Sequence, residues 1–188
     1  MASTVRKRAT YSELRDVPAH LIGEIIDGVL RTSPRPATRH ARAASVLGGE
    51  LEPPFSRGRG GPGGWVILDE PELHLGAEPD VLVPDLAGWR RARMPELPDA
   101  PYLTLAPDWV CEVLSDSTRK VDRTQKLPIY ARESVAHVWF VDPAASLLEV
   151  LRLDGTTYRL VGTFADDGPC RAEPFEALEF RLGDLWLR

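Results

Sequence analysis

The sequence lacks a set of cysteines, a long apolar run and an excess of positive charge. Its 188 residues include two cysteines, Cys111 in an apolar segment and Cys170 in a loop rich in Gly, Pro and Asp. Two such residues form neither a disulfide framework nor a zinc-binding pattern. No stretch approaches the roughly 18 apolar residues of a membrane span, and no apolar run follows the basic N-terminus. We therefore expect a cytoplasmic protein without a membrane segment.

The acidic net charge argues against a general nucleic-acid coating protein. The formal net charge is -5 at pH 7, whereas coating proteins displace counterions from phosphates with many Lys and Arg side chains. The charge is uneven, because the first 45 residues carry more basic than acidic groups and residues 142–188 carry the reverse. One face could still bind a polyanion; an unevenly charged solvated surface is the alternative.

What is present is the composition of a globular domain. Hydrophobic residues make up 43% and charged residues 27% of the chain, close to the averages of soluble domains. The length suits one domain, so we predict a single domain over residues 1–188 with about ten flexible residues at its N-terminus. Residues 53–64 hold too much Gly and Pro for a helix or strand, and we predict a mobile loop there.

The hydrophobic pattern predicts both helices and strands. Helices are expected from Thr10 or Ser12 to near Pro18, over residues 40–51, and from Ser117 or Thr118 to about Arg132 with an interruption at Pro128. Strands are expected over residues 65–75, 80–87, 108–114 and 136–141. Two Asp-Gly pairs, at 27–28 and 154–155, predict hairpins. A last strand and a short turn should close the core near Trp186.

Two carboxylates interrupt apolar strands. Glu112 lies between Val110 and Leu114 on one face of its strand, and Asp85 ends a buried run. A buried charge costs several kcal/mol unless it is paired or coordinated. The two carboxylates could therefore hold one hard divalent cation at the same end of adjacent strands. The alternatives are a turn or helix cap for Asp85 and an internal salt bridge with an arginine for Glu112.

Further candidates flank this pair. Asp122, Lys126 and Tyr130 are spaced four residues apart and share one face of the third helix. That spacing alone indicates an ordinary ion pair, but beside Glu112 the lysine could neutralise a phosphate or orient a water. His40 begins a helix, where a capping or surface role is preferred over a catalytic base. Glu24 and Asp27 are candidate acidic ligands, with Asp27 interpreted as a turn residue.

Several segments occur together in a characteristic order. They are Glu24 to Gly28, His40 ahead of a helix, Val83-Pro84-Asp85, Trp109 to Ser115, the Asp122, Lys126 and Tyr130 set, and Val138 to Pro143. In combination they resemble the Uma-type family of putative restriction endonucleases, from about Tyr11 to Trp186. The resemblance implies an α/β (α+β) fold of the restriction-endonuclease-like type, with a mixed central β-sheet flanked by helices and acidic residues at the edge of a cleft.

The resemblance also implies a chemistry. In PD-(D/E)XK nucleases, the equivalents of Asp85 and Glu112 bind Mg2+ or Mn2+, here with Glu24 as a further catalytic candidate. A metal-activated water then hydrolyses a phosphodiester bond of DNA. The sequence departs from the pattern because Leu114, not a lysine, stands two residues after Glu112. The resemblance suggests that Lys126 takes that role, with His40, Asp122 and Tyr130 as auxiliary residues.

Three functions are compatible with these residues. The first is an active, metal-dependent DNA endonuclease. The second is an inactive domain of the same fold that forms a homodimer and binds a nucleic acid or a protein, which the displaced lysine and the acidic net charge favour. The third is a metal-dependent hydrolase of another substrate, since a fold does not fix its reaction. Retention of both buried acids favours the first. For phosphate contacts, the sequence offers Arg57, Arg59, Arg90, Arg91 and Arg93.

Overall fold

Strands and short helices follow one another along the chain in the computed structural model, which describes residues 7–186. The strands are β1 (Leu21–Ile26), β2 (Val29–Pro34), β3 (Trp65–Asp69), β4 (Leu73–Leu75), β5 (Asp80–Leu82), β6 (Leu86–Arg90), β7 (Trp109–Val113), β8 (His137–Asp142), β9 (Leu147–Asp154), β10 (Thr157–Ala165), β11 (Pro169–Cys170) and β12 (Phe180–Arg181). The helices are α1 (Tyr11–Arg15), α2 (Thr38–Leu51), α3 (Arg119–Val121) and α4 (Leu127–Arg132). Single π-helical turns follow α2 (Glu52–Ser56) and join α3 to α4 (Asp122–Lys126), and a 3-10 turn covers Leu182–Leu185.

A mixed six-stranded sheet with the order β10-β9-β8-β7-β6-β3 forms the centre of the fold. Its β7 and β8 are parallel and its other neighbours are antiparallel. A four-stranded antiparallel sheet, β2-β1-β5-β4, packs beside it, and β11 pairs with β12 near the C-terminus. The expected α/β fold class is therefore confirmed, with a second small sheet that the sequence did not predict.

Local signals account for the first helix and both hairpins. Thr10 caps α1 through a capping box with Glu13, which satisfies free amides of the first turn. Asp27 and Gly28 form the β1–β2 turn with φ of 51° and 72°, a conformation that Gly and Asp adopt most readily. Gly155, with φ of 65°, does the same between β9 and β10. These predicted elements are confirmed, and Asp27 is a turn residue.

The two strands expected over residues 65–75 and 80–87 are each divided in two. In the first, Pro71 separates β3 in the large sheet from β4 in the small sheet; in the second, Pro84 separates β5 from β6. Proline has no amide hydrogen to donate to a neighbouring strand, so the ladder stops there. The chain thus crosses between the sheets twice, and Asp85 lies at the second crossing.

Both π-helical turns occur beside prolines. Pro128 cannot donate to the carbonyl four residues earlier, and the amide of Leu127 instead bonds to the carbonyl of Asp122, five residues back. The expected interruption at Pro128 is confirmed. Residues 53–56, by contrast, belong to the turn after α2, where Pro54 and Phe55 are buried. The prediction that residues 53–64 hold no regular element is wrong for these four residues.

The core lies on both faces of the large sheet. On one face, α2 and the C-terminal turn pack over a set of tryptophans that includes Trp65, Trp109 and Trp139. On the other face, α4 and the small sheet cover Val110, Leu114 and Phe140. Trp186 belongs to the first face, as expected. The predicted flexibility of the first ten residues falls partly on residues 1–6, which lie outside the described range. No helix within residues 7–186 is long and apolar enough to span a membrane.

Candidate active site

Asp85 and Glu112 meet at one edge of the large sheet. The strands β6 and β7 are antiparallel, with Leu86 opposite Cys111, so the start of one and the end of the other share an edge. Asp85 Oδ2 accepts a hydrogen bond from the amide of Val113 at 2.7 Å. The side chains of Asp85 and Glu112 are 13% and 3% exposed. The sequence-based expectation of two carboxylates at the ends of adjacent strands matches this arrangement.

The π-helical turn carries Lys126 into the same site. Lys126 Nζ lies 2.7 Å from Glu112 Oε1 and 3.4 Å from Asp122 Oδ1. The hydroxyl of Tyr130 donates to Glu112 Oε1 at 2.5 Å. The three residues predicted to share a helix face therefore surround Glu112, and its partner is a lysine rather than an arginine. In the PD-(D/E)XK pattern, the lysine stands two residues after the carboxylate. Here Leu114 occupies that position, and Lys126 reaches the Glu112 carboxylate from the following helical segment.

Glu24 comes from the small sheet and completes the acidic group. Its Oε1 accepts from the amide of Val83 at 2.9 Å and lies 3.1 Å from Lys126 Nζ. That amide belongs to the segment in which the chain leaves the small sheet for the large one. The site therefore forms where the two sheets diverge, and three carboxylates, those of Glu24, Glu112 and Asp122, share one ammonium group.

His40 joins the site from the first turn of α2. Its Nε2 lies 3.3 Å from Asp85 Oδ1, and its side chain is 11% exposed. Its Nδ1 is buried without a hydrogen-bond partner among the described residues. Burial alone would lower the pKa of His40, but the hydrogen bond and charge of Asp85 outweigh it and raise the pKa. The preferred interpretation of His40 as a capping or surface residue is wrong in its placement, because α2 packs this side chain against the sheet edge.

The electrostatics of the site are set by burial. Burial raises the pKa of Glu112 well above its usual range despite Lys126, and repulsion from Asp122, Asp85 and Glu24 adds to it. Burial is also the main reason why the pKa of Asp122 is raised, and the charges of Glu24 and Asp85 add to it. Burial would lower the pKa of Lys126, yet the surrounding carboxylates hold it well above its usual value. Lys126 is therefore a permanent cation, and the site carries more acid than one lysine can neutralise.

A cleft with a cavity volume of about 140 Å³ opens onto these side chains. Sequence reasoning missed four residues in or beside it. Arg35, Ser115 and Thr118 line the cleft, and Asp69 lies close enough to Asp85 for that charge, after burial, to raise its pKa. A polar run directly after a buried strand, as in residues 115–118, was the available signal for the hydroxyls. Arg35 and Asp69 had none.

Other candidates lie elsewhere. The sequence contains a second Pro-Asp pair, Pro79-Asp80, at the turn that enters β5. Asp80 bonds to Arg132 at 2.8 Å and lines a different surface pocket. The arginines considered for phosphate contacts do not face the cleft: Arg90 stacks on Trp65 and Arg93 pairs with Asp108. Arg90 ends β6, which runs about 17 Å from Asp85 at 3.4 Å per residue, and Arg91 and Arg93 follow it. The strand was predictable from the sequence, but the edge at which the site forms was not.

A mixed sheet with acidic side chains gathered around a lysine at one edge defines an α/β protein of the restriction-endonuclease-like class. The model of the Uma2 family, described as a putative restriction endonuclease, matches residues 9–183. The chain therefore belongs to the Uma2 family.

The same fold occurs in a solved structure. A crystal structure of a protein from Anabaena variabilis, described as a putative nuclease belonging to DUF820, is 22% identical in sequence and has a TM-score of 0.69. The similarity covers 95% of this chain and 97% of that one. No curated protein matches the chain.

Proposed function

We propose that this protein is a metal-dependent DNA endonuclease with Asp85 and Glu112 as its metal-binding carboxylates. The observation that carries the proposal is a cleft lined by four carboxylates, Glu24, Asp85, Glu112 and Asp122, of which all but Asp85 pair with the single ammonium of Lys126. So much buried acid is unfavourable unless a cation is added. Membership of a family described as putative restriction endonucleases supports hydrolysis of a phosphodiester bond.

The donor set fits Mg2+ or Mn2+. Both prefer carboxylate oxygens, and Mg2+ is usually held by one or two carboxylates together with waters and substrate phosphates. Asp85 and Glu112 supply two such groups on a cleft of about 140 Å³. No group of three or more His, Cys, Asp or Glu side chains within residues 7–186 is arranged to hold a metal ion by itself.

A bound Mg2+ would lower the pKa of a water and stabilise negative charge on the scissile phosphate. The protein's own residues supply the rest. Lys126 remains protonated, so it acts by orienting the attacking water and neutralising developing charge, and not as a base. Glu24 and Asp122 hold Lys126 in place through its ammonium. Tyr130 fixes one oxygen of Glu112, and His40 fixes one oxygen of Asp85.

Cleavage of supercoiled plasmid and of single-stranded DNA tests the proposal. The native protein is compared in Mg2+, Mn2+ and EDTA with Asp85→Asn, Glu112→Gln and Lys126→Met. We expect metal-dependent nicking that each substitution reduces at least about 100-fold, since each removes a group that acts on the transition state. The matched control is Glu96→Gln, an exposed carboxylate outside the cleft, which should cleave like the native protein. Activity that survives in Lys126→Met would remove the lysine from the mechanism.

One observation favours a second function, an inactive domain of this fold that binds a nucleic acid or a protein, with a homodimer as its expected state. The acids already have a partner in Lys126, as a purely structural network would. Isothermal titration calorimetry with Mn2+ separates the two. A folded protein that neither binds Mn2+ nor cleaves any DNA supports the inactive domain. Phosphodiesters other than DNA in the same assay test for another hydrolase substrate.

A further inference from the structure

A larger cavity lies beside the candidate active site. Its volume is about 590 Å³, within the range of small-molecule sites. Arg39 and Arg42 of α2 line one side, while Pro143, Leu185 and Trp186 contribute apolar surface. Among residues 7–186, no carboxylate side chain contributes to this lining, although the protein as a whole carries more acidic than basic residues. The cavity therefore combines positive charge with an apolar wall.

The two arginines have capacity for an anion. Arg39 and Arg42 are exposed and three residues apart, so they share one face of α2. Within residues 7–186, Arg39 forms no ion pair, and Arg42 donates only to the backbone carbonyl of Asp184, at 3.3 Å. Other arginines differ: Arg132, for example, pairs with Asp80 and Glu133. A guanidinium group without a carboxylate partner is free to bind phosphate oxygens.

Neighbouring residues at the start of α2 line both the cavity and the candidate active site. Ala37 and His40 line the cleft, whereas Arg39 and Arg42 line the cavity. Residues 37–42 extend about 7.5 Å along the helix axis at 1.5 Å per residue, a distance that a DNA strand covers in one or two nucleotides. A strand whose reacting phosphate lay in the cleft would therefore reach the cavity with a neighbouring nucleotide.

We propose that this cavity is a subsite for the DNA strand next to the scissile phosphate. Arg39 and Arg42 contact backbone phosphates, and the sugar and base of one nucleotide pack against Pro143, Leu185 and Trp186. The proposal rests on the proposed nuclease function, and it assigns the strand-holding contacts to α2 and not to the arginines after β6. Charge complementarity favours a polyanionic strand over an apolar or acidic ligand.

Binding is measured by fluorescence anisotropy of a labelled 20-nucleotide single strand in EDTA, so that cleavage does not interfere. The test variant is Arg39→Ala/Arg42→Ala. The matched control, Arg59→Ala/Arg159→Ala, removes the same charge from exposed positions outside the cavity lining. We expect the test variant to bind about tenfold more weakly. Its slope of log affinity against log salt should be shallower by about 1.4, at 0.7 for each lost phosphate contact. The control should retain the native slope.

Each outcome decides the inference. Equal slopes for both double variants, no binding by the native protein, or binding of an RNA strand alone would overturn it. Circular dichroism spectra and melting temperatures of both variants show whether a weaker affinity reflects a folded protein; if the test variant does not fold, Arg39→Gln/Arg42→Gln replaces it. Binding that depends on Arg39 and Arg42, without cleavage in Mg2+ or Mn2+, supports the subsite and refutes the nuclease. Metal-dependent cleavage by the native protein, together with unchanged DNA binding in the test variant, supports the nuclease and refutes the subsite.

Discussion

Replacing Lys126 by methionine gives the sharpest test of the buried charge cluster. Methionine keeps most of the length of the side chain and removes the charge that contacts Glu24, Glu112 and Asp122. Lys126 is 3% exposed, so water cannot replace it. Removing one partner of a buried ion pair costs about 3–5 kcal/mol. In a protein of this size that corresponds to a melting temperature lower by roughly 6–20 °C.

The metal dependence of this loss separates a metal site from a structural network. In Lys126→Met the carboxylates have no cation, so Mg2+ or Mn2+ should stabilise the variant more than the native protein. Differential scanning calorimetry compares the variant in EDTA and in metal at about 100 times the dissociation constant measured by titration, where binding gives about 2.7 kcal/mol of stabilisation. A variant as stable as the native protein in EDTA would refute the charge cluster. A variant that the metal leaves unchanged would refute the metal site.

Three further perturbations address individual groups. Glu112→Gln should raise the unfolding free energy in EDTA, because burial disfavours the charged carboxylate and Lys126 keeps Glu24 and Asp122 as partners. Urea denaturation, with Glu96→Gln as the unchanged control, would show a lower unfolding free energy instead if the charge of Glu112 were well stabilised. Tyr130→Phe should cost about 1.5–3 kcal/mol in the same assay, since it removes a buried donor to a carboxylate; an unchanged midpoint contradicts this bond. Burial outweighs Glu173 and lowers the pKa of His137, so the unfolded state binds more protons and stability is lost as pH falls below about 6.5. Urea midpoints from pH 5 to 7.5 should show this slope, and it should weaken in His137→Gln; equal slopes would contradict it.

The cluster places stability and function in opposition. Glu112 and Asp122 have raised pKa values because burial disfavours their charge, and an uncharged residue in place of Glu112 would remove that penalty while Glu24 and Asp122 still pair with Lys126. A substitution such as Glu112→Gln is therefore expected to stabilise the metal-free protein while it removes activity. Active sites commonly show this relation, because groups arranged for a reaction are not arranged for the stability of the free protein.

Local signals in the sequence determined much of the fold. The Asp-Gly pairs at 27–28 and 154–155 fix hairpins, and Thr10 with Glu13 fixes the start of α1, because each acts through contacts between residues only a few positions apart. The alternation around Glu112 gave the correct face of β7, since a strand has a period of two. The buried carboxylate in that strand also marked the site, because such a residue needs a partner.

The tertiary structure decided which segments meet. Proline stops a strand within the chain, but only packing determines that the strand resumes in a second sheet, as happens on either side of Pro84. In the sequence, His40 only begins a helix. The packing of α2 on the sheet edge places its side chain beside Asp85. Likewise, Lys126 follows Glu112 by 14 residues, and its ammonium reaches that carboxylate only because the π-helical turn lies over the end of β7. Sequence spacing reports neighbours within one element, whereas distances between elements depend on how their apolar faces pack together.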